Sequence, residues 1–444
     1  MLVPRHRLIL WVALIVLPFA AAGATLPGAL LISWLAIGLL IAAAILDAWF
    51  GSKQLTGIRV ALPELVRLQK DRAGELQVRI FNDSLASRVL RVGLGLPPEL
   101  SSPADDRTTL LPAAAAVSRL EWPLTATRRG QYLLEKVYLE TPSPLGFWSM
   151  RTSQSVRCEL RVYPNLLEER KHVPAVFLRR GQHGTKAQRT AGQGREFDKL
   201  REYVAGDSYD EIHWKASARR GHAVTKVFQV EQTQEVYVII DASRLSGRTL
   251  EVEGKRTNAL ERFVSAALIL GAAAEQQGDQ FGLITFSDRV LSFVRAKNGP
   301  AHFDACRDRL YTLQPQGVTP DFEELCSFIR IRLRKRALLV FLTALDDPML
   351  AESFGKSAEL ICREHLLLVN LLQPAGAAPL FANPDVEQLD DLYEELAGHL
   401  RWRELRELRK KLRRHGIRLE LLDPGAIAGQ LVRQHAEVKG RQLV

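Results

Sequence analysis

Two uncharged apolar stretches near the start of the chain constrain its fold more than any other feature. Residues 8–22 carry no charge, and residues 26–46 are apolar as well. The break between them, Gly23-Ala24-Thr25-Leu26-Pro27-Gly28, is rich in turn formers. A bilayer core takes about 20 apolar residues per spanning helix. The second stretch meets that length, and the first meets it by running on to Leu26 with Pro18 inside it. The pattern predicts a tight transmembrane helical hairpin over residues 1–54. Arg5 and Arg7 precede it and Lys53 and Arg59 follow it, so the positive-inside rule places both ends, and with them the bulk of the chain, in the cytoplasm. A cleaved signal peptide ending at Ala22-Gly23-Ala24 competes with this reading. Against it, an apolar span follows at once where a mature secreted domain would begin polar. Asp47 falls at the end of the second span, within reach of the interface.

The remaining length is enough for two further domains. A formal net charge of +10 favours anionic surroundings: lipid headgroups, an acidic partner or nucleic acid. Cys158, Cys306, Cys326 and Cys362 are scattered, with no CxxC pair or clustered metal-ligand set. Such thiols read as small buried hydrophobes in a reducing compartment.

Residues 55–165 change pattern. Val60-Ala-Leu, Leu76-Gln-Val-Arg-Ile-Phe, Val89-Leu-Arg-Val-Gly-Leu, Ser118-Arg-Leu-Glu-Trp and Val137-Tyr-Leu-Glu alternate with partial period two, separated by turn-forming clusters. They predict a small β-sandwich of immunoglobulin type, a spacer or docking module beside the membrane.

Residues 166–232 form a linker and a dense signature. The segment 179–189 is basic and glycine-rich and reads as a solvated loop; no recognition helix or aromatic-interleaved sheet accompanies it, which argues against nucleic acid. Residues 194–221, GREFDKLREYVAGDSYDEIHWKASARRG, follow. Asp207 suits an N-cap with Asp210 three residues on, so a helix is predicted over 208–219, closed by basic residues and by Gly221 at C′. A strand is expected over 223–231.

Residues 233–444 alternate apolar strands with helices: strands at 236–241, 281–286, 289–295, 337–343, 365–372 and 418–422, helices at 257–277, 300–312, 321–334, 351–364 and 385–415, and a short C-terminal helix. This is the pattern of a doubly wound, mostly parallel sheet, whose sites form at the carboxyl ends of its strands. In the charged helix, Leu400, Leu405, Leu408 and Leu412 share a face with Trp402 off it. That pattern is read as an amphipathic helix packed on the sheet, in preference to one lying on anionic membrane lipid.

The signature, followed by VTKVFQVEQTQEVYVIIDAS, resembles that of the domain of unknown function 58 family, carried here by Arg195, Glu196, Phe197, Arg201, Tyr203, Gly206, Asp207, Asp210, Ile212, His213, Trp214, Lys215, Ala218 and Arg219. The segment Pro142-Ser-Pro-Leu-Gly-Phe-Trp resembles a turn of the same family, with Thr141 where the family has an acid. The resemblance implies a bacterial inner-membrane protein with a von Willebrand factor A-like (Rossmann-like) domain, encoded beside a MoxR-type AAA+ ATPase. It also implies a Mg²⁺ edge. Asp241 and Ser243 match its first two ligands and Thr319 the threonine, but Leu245 stands at the third position and Ala344 at the last acid, with Asp346 and Asp347 nearby as substitutes. One carboxylate and two hydroxyls hold Mg²⁺ weakly. The expectation is therefore a degenerate edge in which Asp241 and Ser243 cap backbone amides, and no firm cofactor.

No nucleophile–base–orienter set or phosphate-cradling loop is visible. The chain reads as a membrane-anchored adaptor rather than an enzyme, working with a cytoplasmic MoxR-like AAA+ ATPase in the assembly or maturation of protein complexes. The alternative is acid–base catalysis in the 195–215 segment by Asp207, Asp210 and His213.

Overall fold

The computed structural model describes residues 1–113, 115–167, 191–204, 209, 212–229, 234–252, 254–345, 347–380, 382 and 389–441. It divides into two units, Met1–Asn165 and Leu166–Val444.

The first unit begins with strand β1 (Leu2–Pro4). Helix α1 (His6–Trp11), a π-helical turn (Val12–Val16) and α2 (Leu17–Thr25) then run without a break. The widened turn lies just ahead of Pro18, whose ring crowds the carbonyl four residues back and whose missing N–H leaves it unpaired. A 3-10 turn at Pro27–Ala29 leads into α3 (Leu30–Ser52). Both helical runs, His6–Thr25 and Leu30–Ser52, are long and apolar enough to cross a membrane. Their outer faces are bare: Leu31 is 74 % exposed and Trp34 72 %.

Nine strands follow in this unit: β2 (Ile58–Ala61), β3 (Leu65–Gln69), β4 (Ala73–Asn82), β5 (Arg88–Leu94), β6 (Leu100–Ser101), β7 (Asp106–Leu111), β8 (Val117–Ala126), β9 (Gly130–Pro142) and β10 (Trp148–Tyr163). They form two sheets, β1-β10-β9-β5-β7 with β3 on β10, and β2-β4-β8-β6. Alternation does the folding. Leu76, Val78 and Ile80 of β4 and Trp122 and Leu124 of β8 point inward from one sheet. Val92, Leu139 and Leu160 meet them from the other, in one shared core.

The apolar helices are bound to this β unit at both ends. Leu2 pairs with Met150 and Pro4 with Trp148, so β1 is an edge strand on β10. At the other end Asp47, 2 % exposed, accepts hydrogen bonds from Leu145 N (2.8 Å), Phe147 N (3.1 Å) and the Ser143 hydroxyl. The Trp148 indole donates to the Ala44 carbonyl at 2.9 Å. Gly146, at φ +76°, closes the turn between them. Asp47 was expected to reach water at the interface. Instead it is enclosed by the 143–147 turn, whose backbone N–H groups replace that solvation.

In the second unit, β11 (Ala191–Glu202) pairs with β12 (Val224–Gln229) around α4 (Trp214–Arg220). The main sheet comprises β13 (Glu235–Asp241), β16 (Gln280–Phe286), β17 (Val290–Lys297), β18 (Ala337–Thr343), β19 (Leu366–Leu372) and β20 (Arg418–Leu422), with a hairpin β14 (Thr249–Val252) and β15 (Lys255–Asn258) after β13. Its order is β17-β16-β13-β18-β19-β20. Only the β16–β17 pairing is antiparallel; the other pairings in this sheet are parallel. The helices are α5 (Ala259–Gln276), α6 (Pro300–Leu310), α7 (Phe322–Arg332), α8 (Pro348–Cys362), α9 (Leu389–Arg414) and α10 (Ile427–Gly440).

The central strands are apolar on both sides because both sides are covered. Val236, Val238 and Ile240 share a core with α5 and α10. Tyr237 and Ile239 share another with α7, α8 and α9. Within α9, Leu405 and Leu412 are buried and Trp402 joins the core, whereas Leu400 is 52 % exposed. Trp402 and Leu400 thus exchange the places expected of them. The C-terminal helix is fastened by Asp279, which is fully buried and takes Lys439 Nζ on both oxygens at 2.9 Å and Gln234 N at 3.2 Å. His435 Nε2 also lies 3.0 Å from Asp279, off the line of a hydrogen bond.

Two outcomes are expected. Asp47→Ala strands two backbone donors and a hydroxyl, at about 1–3 kcal/mol for each buried group left unpaired. Limited proteolysis of the full chain in detergent should then cut first at the 143–148 turn, and an unchanged pattern would show that the carboxylate does not hold it. At the start of β19, His365 is buried with both ring nitrogens unpaired among the described residues, and burial depresses its pKa despite the charge of Glu364. The unfolded chain takes up that proton first. The stability this gives is therefore complete above about pH 6.5 and is lost as pH falls from there toward the depressed folded value. Thermal unfolding of His365→Leu should be flatter across that acid window than that of the native chain.

Candidate functional site

Strand β13 carries Asp241 to the carboxyl end of the sheet, where it is fully buried. Its Oδ1 accepts the Ser243 backbone N–H at 2.8 Å, and its Oδ2 accepts the Thr343 hydroxyl from β18 at 2.6 Å. Burial pushes the Asp241 pKa above the usual carboxylate range, against the opposing effect of these donors. Ser243 Oγ accepts from Leu245 N at 3.4 Å, and its carbonyl accepts the Ser246 hydroxyl at 2.8 Å. Ser246 is thereby turned inward to its own loop. The threonine loop docks alongside through its backbone, with Arg244 N on Val318 O at 3.0 Å and Gln316 N on Ala242 O at 2.7 Å. Thr319 itself is exposed.

These residues do not fit a Mg²⁺ site. Both Asp241 oxygens already hold protein donors in a knot that needs no ion. Asp347 caps α8 by accepting Met349 N at 2.9 Å, and Asp346 lies outside the described residues. Among the described residues no three His, Cys, Asp or Glu side chains converge as a metal would need. Leu245 and Ala344, at the two positions where ligands are missing, instead line a cleft of about 1560 Å³ that opens along the carboxyl ends of the strands. Leu345, Leu371, Leu405 and Phe263 continue its apolar lining, with Lys356, Arg401, Glu404 and Lys411 among its polar residues. The cleft was not foreseen residue by residue; its one sequence signal is the pair of apolar residues where ligands were sought.

The signature folds differently from expectation. Helix α4 starts at Trp214 rather than at 208, and its N-cap is His213, whose Nδ1 accepts Ala216 N at 3.1 Å. Asp207, the expected cap, lies outside the described residues, as do Gly206 and Asp210. His213 precedes the helix, and its expected pairing with Asp210 lies outside the described residues. Gly221 does adopt the left-handed conformation at the C-terminus, with φ 71°. Arg195, Glu196, Phe197 and Arg201 fall on β11, which was not anticipated; Phe197 faces Phe228 and Arg201 faces Thr225 in register. Tyr203 continues the pairing through its N–H to Ala223 O at 2.9 Å. Ile212 is buried and bridges Thr225, and His213 N donates to Val224 O at 2.8 Å. Trp214, Lys215, Ala218 and Arg219 face outward, and Trp214 is 68 % exposed.

The thiols offer no nucleophile at neutral pH. Burial pushes Cys306 and Cys326 up to about 12 and Cys158 and Cys362 up to about 11.

In the knot, Thr343→Val leaves a buried carboxylate oxygen without its donor, which should cost about 1.5–3 kcal/mol. That loss, read by thermal unfolding, should be the same with Mg²⁺ and with a chelator. Heat on titrating Mg²⁺ into the native chain, abolished by Asp241→Asn, would restore the metal reading.

Several solved structures are similar to parts of this chain, three of them as follows. An aerotolerance-related membrane protein from Bacteroides fragilis NCTC 9343, with multiple mutations to serines, matches at 15 % identity, covering 46 % of this chain and 98 % of its own, with a TM-score of 0.28. The sialic acid binding region of a Streptococcus sanguinis SK1 adhesin bound to 3'sLn matches at 19 %, covering 25 % and 31 %, with a TM-score of 0.18. WR4, a C. elegans MSP family member, matches at 12 %, covering 24 % and 97 %, with a TM-score of 0.17. At these scores none of the three fixes the fold. The search of curated proteins gave no match. The family described as protein of unknown function DUF58 matches residues 199–387, from the end of β11 to beyond β19. Over that segment, less than half of its length, the chain is similar to the domain of unknown function 58 family.

Proposed function

We propose that this chain is a membrane-anchored adaptor whose second unit binds a partner protein in the cleft at the carboxyl ends of its sheet. The carrying observation is the chemistry of that edge. Where an ion-binding fold would place ligands, Leu245 and Ala344 line a large cleft of mixed apolar and charged lining, and the Asp241 carboxylate behind them is sealed by Thr343 and Ser243. Concave sites in which apolar side chains alternate with placed polar ones are where proteins most often bind ligands. Recognition of a ligand there needs no metal.

The unit is read as a doubly wound, von Willebrand factor A-like domain. Numbering its sheet strands from β13, the order is 3-2-1-4-5-6, with strand 3 antiparallel at the edge and helices over both faces. The first unit is read as the anchor. Both ends of its apolar helical pair are tied to the same β unit, by β1 on β10 and by Asp47 on the 143–147 turn, which suits a hairpin entering and leaving on one side of a bilayer. Arg5, Arg7 and Lys53 at those ends favour the cytoplasmic side. The family resemblance names the partner class: a cytoplasmic MoxR-like AAA+ ATPase, in the assembly or maturation of protein complexes.

Affinity-purified full-length protein from detergent-solubilised membranes should retain the ATPase encoded beside it. Ala344→Arg, which fills the half-buried floor of the cleft, should reduce recovery about ten-fold, the loss of a single anchoring contact. Failure to recover such an ATPase from membranes that contain it would sink this reading.

A further inference from the structure

The part of the signature that the fold leaves unused is the outward face of α4. Its residues divide cleanly. Ile212 is buried, His213 caps the helix, and Ser217 receives Val224 N at 2.9 Å while donating to the His213 carbonyl at 3.1 Å. These contacts fix the helix against β12. Trp214, Lys215, Ala218 and Arg219, all signature residues, serve none of them. The positions fall in two stripes at helical spacing, Trp214 with Ala218 and Lys215 with Arg219. Arg220 adds a third exposed cation beside them. Among the described residues no carboxylate pairs with Lys215, Arg219 or Arg220, so these residues present positive charge around an exposed indole.

We propose that this face is a docking site for an acidic segment of a partner protein. Trp and Arg are the residues that carry interface energy, and a large aromatic ring held on a short, fixed helix loses little freedom on binding. Ala218 leaves the flank of the indole open, so an apolar side chain of the partner can pack there while its carboxylates meet Lys215 and Arg219. The charge selects an anionic partner. One indole on a seven-residue helix buries too little apolar surface to hold a lipid interface, where insertion rests on a long apolar face. Single-stranded nucleic acid is gripped by successive aromatic platforms, and here the face presents one. The site does not depend on the sheet cleft, and its failure would leave the adaptor reading standing.

The test uses the full chain in detergent and a short fluorescein-labelled peptide of alternating Glu and Leu, followed by fluorescence anisotropy. Saturable binding is expected, weakening as salt rises. It should fall about ten-fold in Trp214→Ala and likewise in the paired variant Arg219→Glu with Arg220→Glu. Lys215→Glu, a surface change with no packing role, should follow them. The pair Arg413→Glu with Arg414→Glu, equally basic but on α9, should leave binding unchanged. Circular dichroism establishes that each variant is folded. The proposal is overturned if the peptide does not bind saturably, or if the α9 pair weakens it as much as the α4 pair. It is also overturned if mixed phosphatidylcholine and phosphatidylglycerol vesicles, or an oligouridine, bind through these residues while the peptide does not.

Discussion

A carboxylate removed from water must find its hydrogen bonds inside the protein, and three aspartates set the architecture by doing so. Asp47 takes two backbone N–H groups and a hydroxyl from the 143–147 turn and ties an apolar helix to the β unit. Asp241 takes Ser243 N and the Thr343 hydroxyl and ties β13 to β18 at the edge where a ligand would sit. Asp279 takes Lys439 and Gln234 N and ties the last helix to the α5–β16 turn. None is more than 2 % exposed. Removing one partner of such a group leaves an uncompensated charge or donor, so the cost of breaking each exceeds the gain of forming it.

Much of the second unit was legible because its strands obey one rule. A strand covered on both faces reads as an unbroken apolar run. Residues 337–343 and 418–422 appear as strands at the expected bounds, and 236–241 and 281–286 within a residue of them. The first unit was legible by alternation, as in Leu76, Val78 and Ile80. What failed, failed locally. β11 is interrupted by register shifts between Ala191 and Glu196 and between Phe197 and Lys199, and each shift breaks the period-two pattern by which a strand is recognised. The helix in the signature was drawn too long because Asp207 resembles a cap, whereas His213 performs the capping with a ring nitrogen that propensity rules do not anticipate. Leu400 and Trp402 were exchanged because a two-residue offset on a helix turns a side chain through about 200°, to the opposite face, and stripe arguments tolerate that error poorly.

The role of Asp47 was hidden for a different reason. Its partners lie about a hundred residues away in sequence, Ser143, Leu145 and Phe147, and two of the three contribute only their backbone. No residue pattern announces a backbone donor. A turn that places successive N–H groups on one side makes an anion-binding concavity whatever its side chains. The family-like turn at 142–148 has Thr141 where an acid was expected, and the anion it binds arrives from the helix instead. Thr141 meanwhile donates its hydroxyl to Val89 O at 2.9 Å, a bond within the sheet. The acid is thus lost from the turn without loss of the turn.

The separation of structural from available charge then tells where function is to be sought. At the sheet edge Asp241 and Ser243 are spent, and Leu245 and Ala344 open onto a cleft that charged residues also line. On α4 the reverse holds: the apolar and capping residues are spent on β12, and the cations with the indole are open. The apolar part of such a cleft gives affinity through surface removed from water. A basic, aromatic helix face gives selection by charge, with little area. A binding protein needs both terms, since specificity is a difference between affinities for right and wrong partners. Because α4 and the sheet belong to the same unit of the chain, one partner presenting an apolar segment and an acidic one would be read twice, and a partner lacking either would be held by half of the machinery.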